Sequence, residues 1–326
     1  MDVIEISKPG EAENLKISQR PIPLPGEDEI LIKVEAAGVN RPDILQRKGL
    51  YPPPPNASNI LGLEVSGVII DIGKKVEHFK INDRVLSLTN GGGYATYCVV
   101  PALQCLPIPI GVSMIEAAGI PETFFTVWYN LFELGNISSH HKILIHGGSS
   151  GIGTTAIQFA KHFADKIFTT VGNEEKRQAC LSLGANYAIN YNEQDFSDII
   201  LQNTNQYGVD IILDMVGGNY LQKNLNILAY QGKLIQIAFL KGSKTEIDLK
   251  PIMTKELIIT GSTLRPQSNE QKGFIAKSLY KKIWPLINEN KIKPIIFKTF
   301  PFRNVVDAHK LMESNQHIGK IILTMT

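Results

Sequence analysis

The residues best suited to chemistry form a glycine-rich turn. An apolar run at 143–145 leads through His146 into Gly147-Gly148-Ser149-Ser150-Gly151-Ile152-Gly153. A helical pattern follows, with Ala156, Phe159, Ala160 and Phe163 on one face. Glycines permit a tight turn and close backbone approach, and a helix N-terminus offers unpaired N–H groups and the positive end of its dipole. This chemistry suits a diphosphate, to which Ser149 and Ser150 offer hydroxyl donors. A plain strand-to-helix turn is the alternative, since the spacing departs from G-x-G-x-x-G. Position within a β–α series favours the ligand.

The next strand-like run, KIFTTVG at 166–172, ends at Gly172-Asn173. Dinucleotide sites that take NAD place a carboxylate near such a strand end, where it bonds the ribose and repels a 2′-phosphate. That acid is missing, and Lys176 and Arg177 follow. The pattern favours NADPH over NADH. Asn173 also suits the N-cap of a helix ending near Gly184. Glu174 and Glu175 fit that helix start but do not help a phosphate.

Other chemistries find no support. Three cysteines, Cys98, Cys105 and Cys180, show no CxxC spacing, against a disulfide framework or a zinc lobe. There is no G-x-S-x-G nucleophile elbow, and the glycine turn lacks the Gly-Lys-Ser/Thr ending of a P-loop. Seven histidines make no convincing triad with a serine; His146, beside the glycine turn, is at most a supporting residue.

Around these residues the chain has two textures. To about Pro121, short β-type runs alternate with turns: ILIKVEAAGV (30–39), LEVSGVIIDIG (63–73) and VLSL (85–88). This spacing suggests a barrel-like β domain. Tyr51 and the four prolines after it must form a loop. PETFFTVWYNLFEL (121–134) reads as a helix. Then KILIHG (142–147), KIFTTVG (166–172), YAIN (187–190), VDIILDMVG (209–217), KLIQIA (233–238) and ELIITGS (256–262) alternate with helical patterns. That order indicates a parallel sheet covered by helices. A helix around 273–288 precedes a strand–helix–strand tail, which is expected to rejoin the first domain.

The 326 residues allow about two domains at roughly 100–200 residues each. With 43% hydrophobic and 20% charged residues, the chain is an ordinary globular one, not a disordered or fibrous one. Lys+Arg exceeds Asp+Glu by 33 − 31, a net charge of +2, too small to make nucleic acid or an anionic membrane the main partner. The opening MDVIEISKPGEAENLKI lacks the basic and apolar regions of a secretory leader. No apolar stretch approaches the roughly 20 residues that span a bilayer. A cytoplasmic setting is expected.

Taken together, several segments resemble the medium-chain dehydrogenase/reductase superfamily. They are NRPDILQRKGLYPPPP (40–55), NILGLEVSGVI (59–69), GGGYATY (91–97), AAGIPETFFTVWYNL (117–131), HGGSSGIGTTAIQFAK (146–161), GVDIILDMVGG (208–218) and AHKLMESNQHIGKIIL (308–323). Within that superfamily they are most similar to the zeta-crystallin-like quinone oxidoreductases, and there to the tumour-suppressor-inducible subgroup. The resemblance covers essentially the whole chain. It implies an α/β fold in which residues 1–121 and 289–326 form a GroES-like β-barrel domain and residues 122–288 a Rossmann doubly wound parallel-sheet domain that binds NADPH.

The resemblance also assigns residues. Zinc-dependent members carry a cysteine where this chain has Asn40 and a histidine where it has Leu63, which implies no metal. Glu64 remains, with a structural role favoured over a catalytic one. Asn40 and Tyr51 are implied to position substrate and nicotinamide, with no obligate acid–base residue. Cofactor contacts are implied at Asn40, Thr126, Gly148, Ser149, Ser150, Gly151, Ile152, Asn173, Lys176, Tyr191, Val216, Ala238, Phe239, Leu240, Ser262, Leu264 and Arg265. Duller readings stay open: Tyr51 packed on prolines, Tyr191 in a surface turn, Phe239 in the core.

The implied activity is an NADPH-dependent, zinc-independent quinone oxidoreductase acting on a small-molecule quinone or enone. Reduction of α,β-unsaturated carbonyls or enoyl thioesters is the alternative. A non-catalytic NADPH-binding or RNA-binding protein is a reading of another class. A homodimer through the edge strand ELIITGS is expected.

Overall fold

The computed structural model describes residues 1–325. Its strands are Asp2–Ile6 (β1), Leu15–Gln19 (β2), Glu29–Val39 (β3), Glu64–Ile72 (β4), Arg84–Leu88 (β5), Tyr97–Pro101 (β6), Cys105–Pro107 (β7), Lys142–Ile145 (β8), Lys166–Val171 (β9), Tyr187–Asn190 (β10), Val209–Asp214 (β11), Leu228–Gln236 (β12), Ile258–Gly261 (β13), Ile296–Pro301 (β14) and Lys320–Thr324 (β15). The α-helices are Arg41–Arg47 (α1), Met114–Ala117 (α2), Pro121–Trp128 (α3), Gly151–Phe163 (α4), Glu174–Leu183 (α5), Phe196–Asn203 (α6), Tyr220–Ile227 (α7), Lys250–Thr254 (α8), Asn269–Lys282 (α9), Trp284–Asn288 (α10) and Val305–Ser314 (α11). No helix among the described residues is long and apolar enough to cross a membrane.

The chain forms two compact units, 1–125 with 264–326, and 126–263. In the first unit, β14-β15-β3-β4-β5-β7 make one sheet, and β6 also pairs with β3. Strand β15 runs antiparallel to β3, with Ile322 opposite Gly38, so the C-terminal tail does rejoin the N-terminal strands. Ile32, Val34, Val39, Val65, Val85 and Ile321 fill the core of this unit. A one-way hydrogen-bond chain ties α11 to α1. Burial holds His309 neutral, with its pKa pushed down to about 3. Its Nδ1 then accepts from Arg47 Nη1 (3.3 Å), its Nε2–H donates to the Tyr94 hydroxyl (3.2 Å), and that hydroxyl donates to Asp43 Oδ2 (3.2 Å).

The first unit extends further than the sequence suggests. The expected boundaries were 121/122 and 288/289; the observed ones are 125/126 and 263/264. The reason is the docking of α9 and α10. Gln104 Nε2 donates to Asn269 Oδ1 (2.8 Å), Trp284 Nε1 to the Pro107 carbonyl (2.9 Å), and the Ile110 amide to Asn288 Oδ1 (2.9 Å). The expected single helix at 121–134 also differs. It widens after Trp128 into a π-helical turn at Tyr129–Leu134, where Phe132 stacks on Trp128 at 4.2 Å.

The second unit is an all-parallel six-stranded sheet ordered β10-β9-β8-β11-β12-β13. Counted from β8, that order is 3-2-1-4-5-6, the doubly wound arrangement of dinucleotide-binding folds. The order reverses between β8 and β11, and ligands of such sheets lie outside the strand ends at this reversal. The β8 strand is short because buried Ile143, Leu144 and Ile145 meet the glycine turn at once.

Candidate functional site

In the second unit the glycine turn leaves β8 and enters α4. Gly147 is left-handed (φ +69°), a conformation that favours glycine. A Cβ on Gly148 would lie 2.0 Å from Thr169 Oγ1, and one on Gly153 2.3 Å from the Gly147 carbonyl. Only glycines let the turn, the neighbouring strand and the helix approach so closely. Ser150 is the N-cap, and its Oγ accepts from the Gly153 amide (2.9 Å). The amides of Gly151 and Ile152 have no protein acceptor among the described residues. Two free donors at the positive end of a thirteen-residue helix, beside a backbone that no side chain fills, fit a diphosphate.

The turn is braced from below. His146 is fully buried; its Nδ1 meets Thr170 Oγ1 (3.0 Å) and its Nε2 meets Asn224 Oδ1 (2.8 Å). Asn224 Nδ2 donates to Asp214 Oδ2 (3.1 Å), while Asp214 Oδ1 accepts from the amides of Val216 (2.5 Å) and Gly217 (3.2 Å). Burial pushes the His146 pKa down, so the ring stays neutral and serves as a strut. This network fixes Val216 next to the strand-order reversal. Asp214 and Asn224 were not singled out from sequence. Only the apolar run that precedes Asp214 marked its place.

At the end of β9, Asn173 Oδ1 caps α5 by accepting from the Lys176 amide (2.9 Å), and Gly184 ends that helix with φ +119°. Tyr191 is 46% exposed, and its hydroxyl sits over Gly172, where an added Cβ would be 2.7 Å away. The strand is followed by Gly172-Asn173 rather than by a carboxylate. Arg177 turns away: its Nη1 donates to Glu174 (2.8 Å) and its Nε to the Ala188 carbonyl (3.2 Å). Lys176 is half-buried, which lowers its pKa.

Ala238, Phe239 and Leu240 follow β12 as a loop, with the Ala238 carbonyl held by Gln236 Nε2 (2.5 Å). Phe239 is 55% exposed, which overturns its core reading, because it lies past the end of β12 and outside the sheet. Ser262 Oγ donates to Asn130 Oδ1 (2.8 Å), and Asn130 Nδ2 donates to the Thr126 carbonyl (2.8 Å).

The first unit holds a different constellation. Asn40 is buried at the N-cap of α1 and uses its whole amide: Oδ1 accepts from Lys320 Nζ (2.5 Å) and Nδ2 donates to Glu64 Oε1 (2.8 Å). Lys320 Nζ is also 2.6 Å from Glu64 Oε1. Glu64 Oε2 accepts from the Glu122 amide in the first turn of α3 (2.9 Å). Gly38 makes room, since a Cβ there would lie 1.9 Å from Glu64 Oε1. Glu64 is therefore a structural hub. These residues do not fit zinc: Asn40 offers an amide and Leu63 a hydrocarbon, and the Glu64 carboxylate already holds an ammonium. No group of three or more His, Cys, Asp or Glu among the described residues could hold a metal ion.

Beside this hub, Asp43 accepts from the amides of Asn40 (2.8 Å) and Gly62 (3.1 Å). Burial nonetheless pushes its pKa up to about 6. Arg265, 6% exposed, donates from Nη2 to Gln46 Oε1 (2.8 Å) and from Nη2 and Nε to the Asn90 carbonyl (2.7 and 2.9 Å). Its guanidinium lies 5.3 Å from the Tyr51 ring centroid. Tyr51 thus stacks with a cation rather than only with prolines. Leu264 is buried. Fully buried Lys272 donates to Asn90 Oδ1 (2.6 Å) and the Arg265 carbonyl (2.8 Å), and burial lowers its pKa to about 8.

The site residues expected from sequence thus fall into two groups. Gly148 to Ile152, Asn173, Lys176, Tyr191 and Val216 sit at strand ends of the second unit, with Ala238 to Leu240, Ser262 and Thr126 in the same unit. Asn40, Tyr51, Leu264 and Arg265 belong to the first. Sequence reasoning missed Lys320, Lys272, Asp43 and Glu122. The signals were slight: a lysine opening an apolar strand, and an acid directly after Pro121.

Comparison with known proteins agrees with this fold. Residues 26–110 match the family model described as alcohol dehydrogenase GroES-like domain, and residues 151–278 that described as zinc-binding dehydrogenase. A quinone oxidoreductase of Lama guanicoe is 32% identical over 333 residues, covering 100% of this chain and 98% of the relative. Among solved structures, Escherichia coli quinone oxidoreductase complexed with NADPH has a TM-score of 0.88 and 28% identity, covering 99% of this chain and 100% of that one. JamJ enoyl reductase has a TM-score of 0.89 and 26% identity, covering 100% and 99%. The chain belongs to the quinone oxidoreductase-like family of the medium-chain dehydrogenase/reductase superfamily, a family of oxidoreductases.

Proposed function

We propose that this protein is an NADPH-dependent, zinc-independent reductase that passes hydride to a quinone or related conjugated acceptor. The observation that carries the reading is the Asn40–Glu64–Lys320 hub, which puts an ammonium where a catalytic metal would need free ligands. Without a Lewis acid, reduction of a simple ketone is difficult, whereas a conjugated acceptor delocalises the incoming charge. NADPH supplies the hydride when bound. The Gly148–Ile152 cradle holds its diphosphate. Lys176, Tyr191 and Asn173 receive the 2′-phosphate, and no carboxylate at the end of β9 repels it. Asn40, through its links to Glu64 and Lys320, and Tyr51, through its stack on Arg265, position the acceptor and the nicotinamide. Val216, the Ala238–Leu240 loop, Thr126, Ser262 and Leu264 complete the cofactor contacts.

The guanaco and E. coli relatives support a quinone as acceptor. The JamJ and CurK enoyl reductases, alike in structure, favour a second reading in which the acceptor is an activated alkene. The test is purified protein with NADPH and a panel of quinones, enones and enoyl thioesters, followed by nicotinamide absorbance. Turnover of quinones with the highest kcat/KM is expected; turnover of none, despite cofactor binding, overturns the proposal. Tight, salt-sensitive RNA binding with negligible reduction would favour a non-catalytic role. A homodimer through β13, whose Ile258 and Ile259 are exposed, completes the reading, with light scattering as its check.

A further inference from the structure

A hydride acceptor becomes an anion unless a proton follows. The first unit holds a carboxyl group left without a partner among the described residues. Glu122 follows Pro121 in the first turn of α3, and its amide is pinned by Glu64 Oε2 at 2.9 Å. Its side chain is half-buried, and among the described residues its carboxyl makes no ion pair and accepts no hydrogen bond. Four of the charged groups near it are committed. Glu64 on β4 and Lys320 on β15 hold each other, Asp43 on α1 holds two amides, and Lys272 on α9 holds Asn90. The Arg265 guanidinium, 5.3 Å from the Tyr51 ring centroid, lies within the field of the Asp43 and Glu122 carboxyls. Its Nη1 is buried and has no acceptor among the described residues, an unusual deficit for a guanidinium.

We propose that Glu122 is the acid that protonates the acceptor, with the unpartnered Nη1 of Arg265 and the Tyr51 ring holding the acceptor's oxygen. The inference rests on the reductase reading above. The acceptor takes the hydride, and an electron pair of its conjugated system moves onto oxygen. The Glu122 O–H bond then breaks as the new O–H bond forms. The carboxylate recovers a proton from water, so one hydride and one proton enter the acceptor per cycle. The surroundings favour a stored proton. Burial first, and then the neighbouring Glu64 and Asp43 charges, push the Glu122 pKa up to about 7 against the opposing pull of Lys320 and Lys272.

The test compares wild-type protein with Glu122→Gln. A positioned acid contributes about 10²–10⁴-fold, so the variant is expected to lose at least about 100-fold in kcat while its NADPH affinity, read by fluorescence, stays unchanged. Wild-type kcat should fall as pH rises through about 7, and the variant should lack that limb. Infrared titration of the protein without cofactor should show two protonated-carboxyl bands, one fading near pH 6 from Asp43 and one fading near pH 7 from Glu122, and only the second is absent from the variant. Glu122→Asp, which keeps an acid, should retain the limb. A Gln variant with wild-type kcat and an intact limb overturns the role of Glu122 while leaving the reductase reading intact. A wild-type protein that reduces no acceptor overturns both.

Discussion

Lys320 Nζ lies 2.6 Å from Glu64 Oε1, and both side chains are almost wholly buried. A buried pair of this kind adds little compared with a hydrophobic pair, but breaking it strands a charge. Lys320→Met is therefore expected to cost about 3–5 kcal/mol, measured by denaturant unfolding. A Glu64→Leu, Lys320→Met double variant should recover much of that loss.

The phosphate corner gives a second prediction. Removing a charge-assisted hydrogen bond costs about 1.5–3 kcal/mol, or about 10–150-fold in affinity. Lys176→Ala should weaken NADPH by that factor and leave NADH nearly unchanged, as read by nicotinamide fluorescence titration. Equal weakening of both cofactors would remove Lys176 from the 2′-phosphate site.

The glycine turn gives a third. A methyl group at Gly153 would meet the Gly147 carbonyl at 2.3 Å, an atom that cannot rotate away. Gly153→Ala should cost about 1–3 kcal/mol of stability by overpacking and should weaken both NADPH and NADH, because the diphosphate cradle is distorted. Calorimetry on the protein with and without cofactor checks both effects.

Glu122 makes a prediction about stability that is independent of turnover. Its pKa in the folded chain, about 7, lies above the ordinary 4.5. Between those values the folded state binds more protons than the unfolded state, so this group's contribution to stability falls as pH rises through that window. Glu122→Gln should remove the fall and make the protein more stable than wild type above pH 7, by about 1–3 kcal/mol. Thermal melts from pH 5 to 8 measure it.

Much of this architecture can be read from sequence where the physics is local. YAIN and the tail strand at 320–324 match β10 and β15, because buried strands appear as short apolar runs between turns. Asn173 and Gly184 mark both ends of α5 for reasons contained in those residues. The glycine cradle was legible for the same reason. The rest depends on partners remote in sequence. Nothing near Lys320 announces that its ammonium will meet Asn40, 280 positions away. The boundary at 263/264 was missed because α9 and α10 follow the parallel sheet in sequence but attach to Gln104 and Pro107. For Phe239 a core alternative stayed open beside the cofactor contact, because an aromatic between apolar neighbours carries no sign of exposure.

The pairing of β15 with β3 sets an order of events during synthesis. All strands of the second unit emerge from the ribosome before β14 and β15, so its sheet can close while the first unit still waits. Until residues 320–324 arrive, the β3 edge from Ala36 to Val39 has no partner there, and Asn40 and Glu64 lack their cation. The nascent N-terminal half thus carries an open strand edge and an uncompensated carboxylate for most of translation. That is the interval in which a holding chaperone would contribute most to yield.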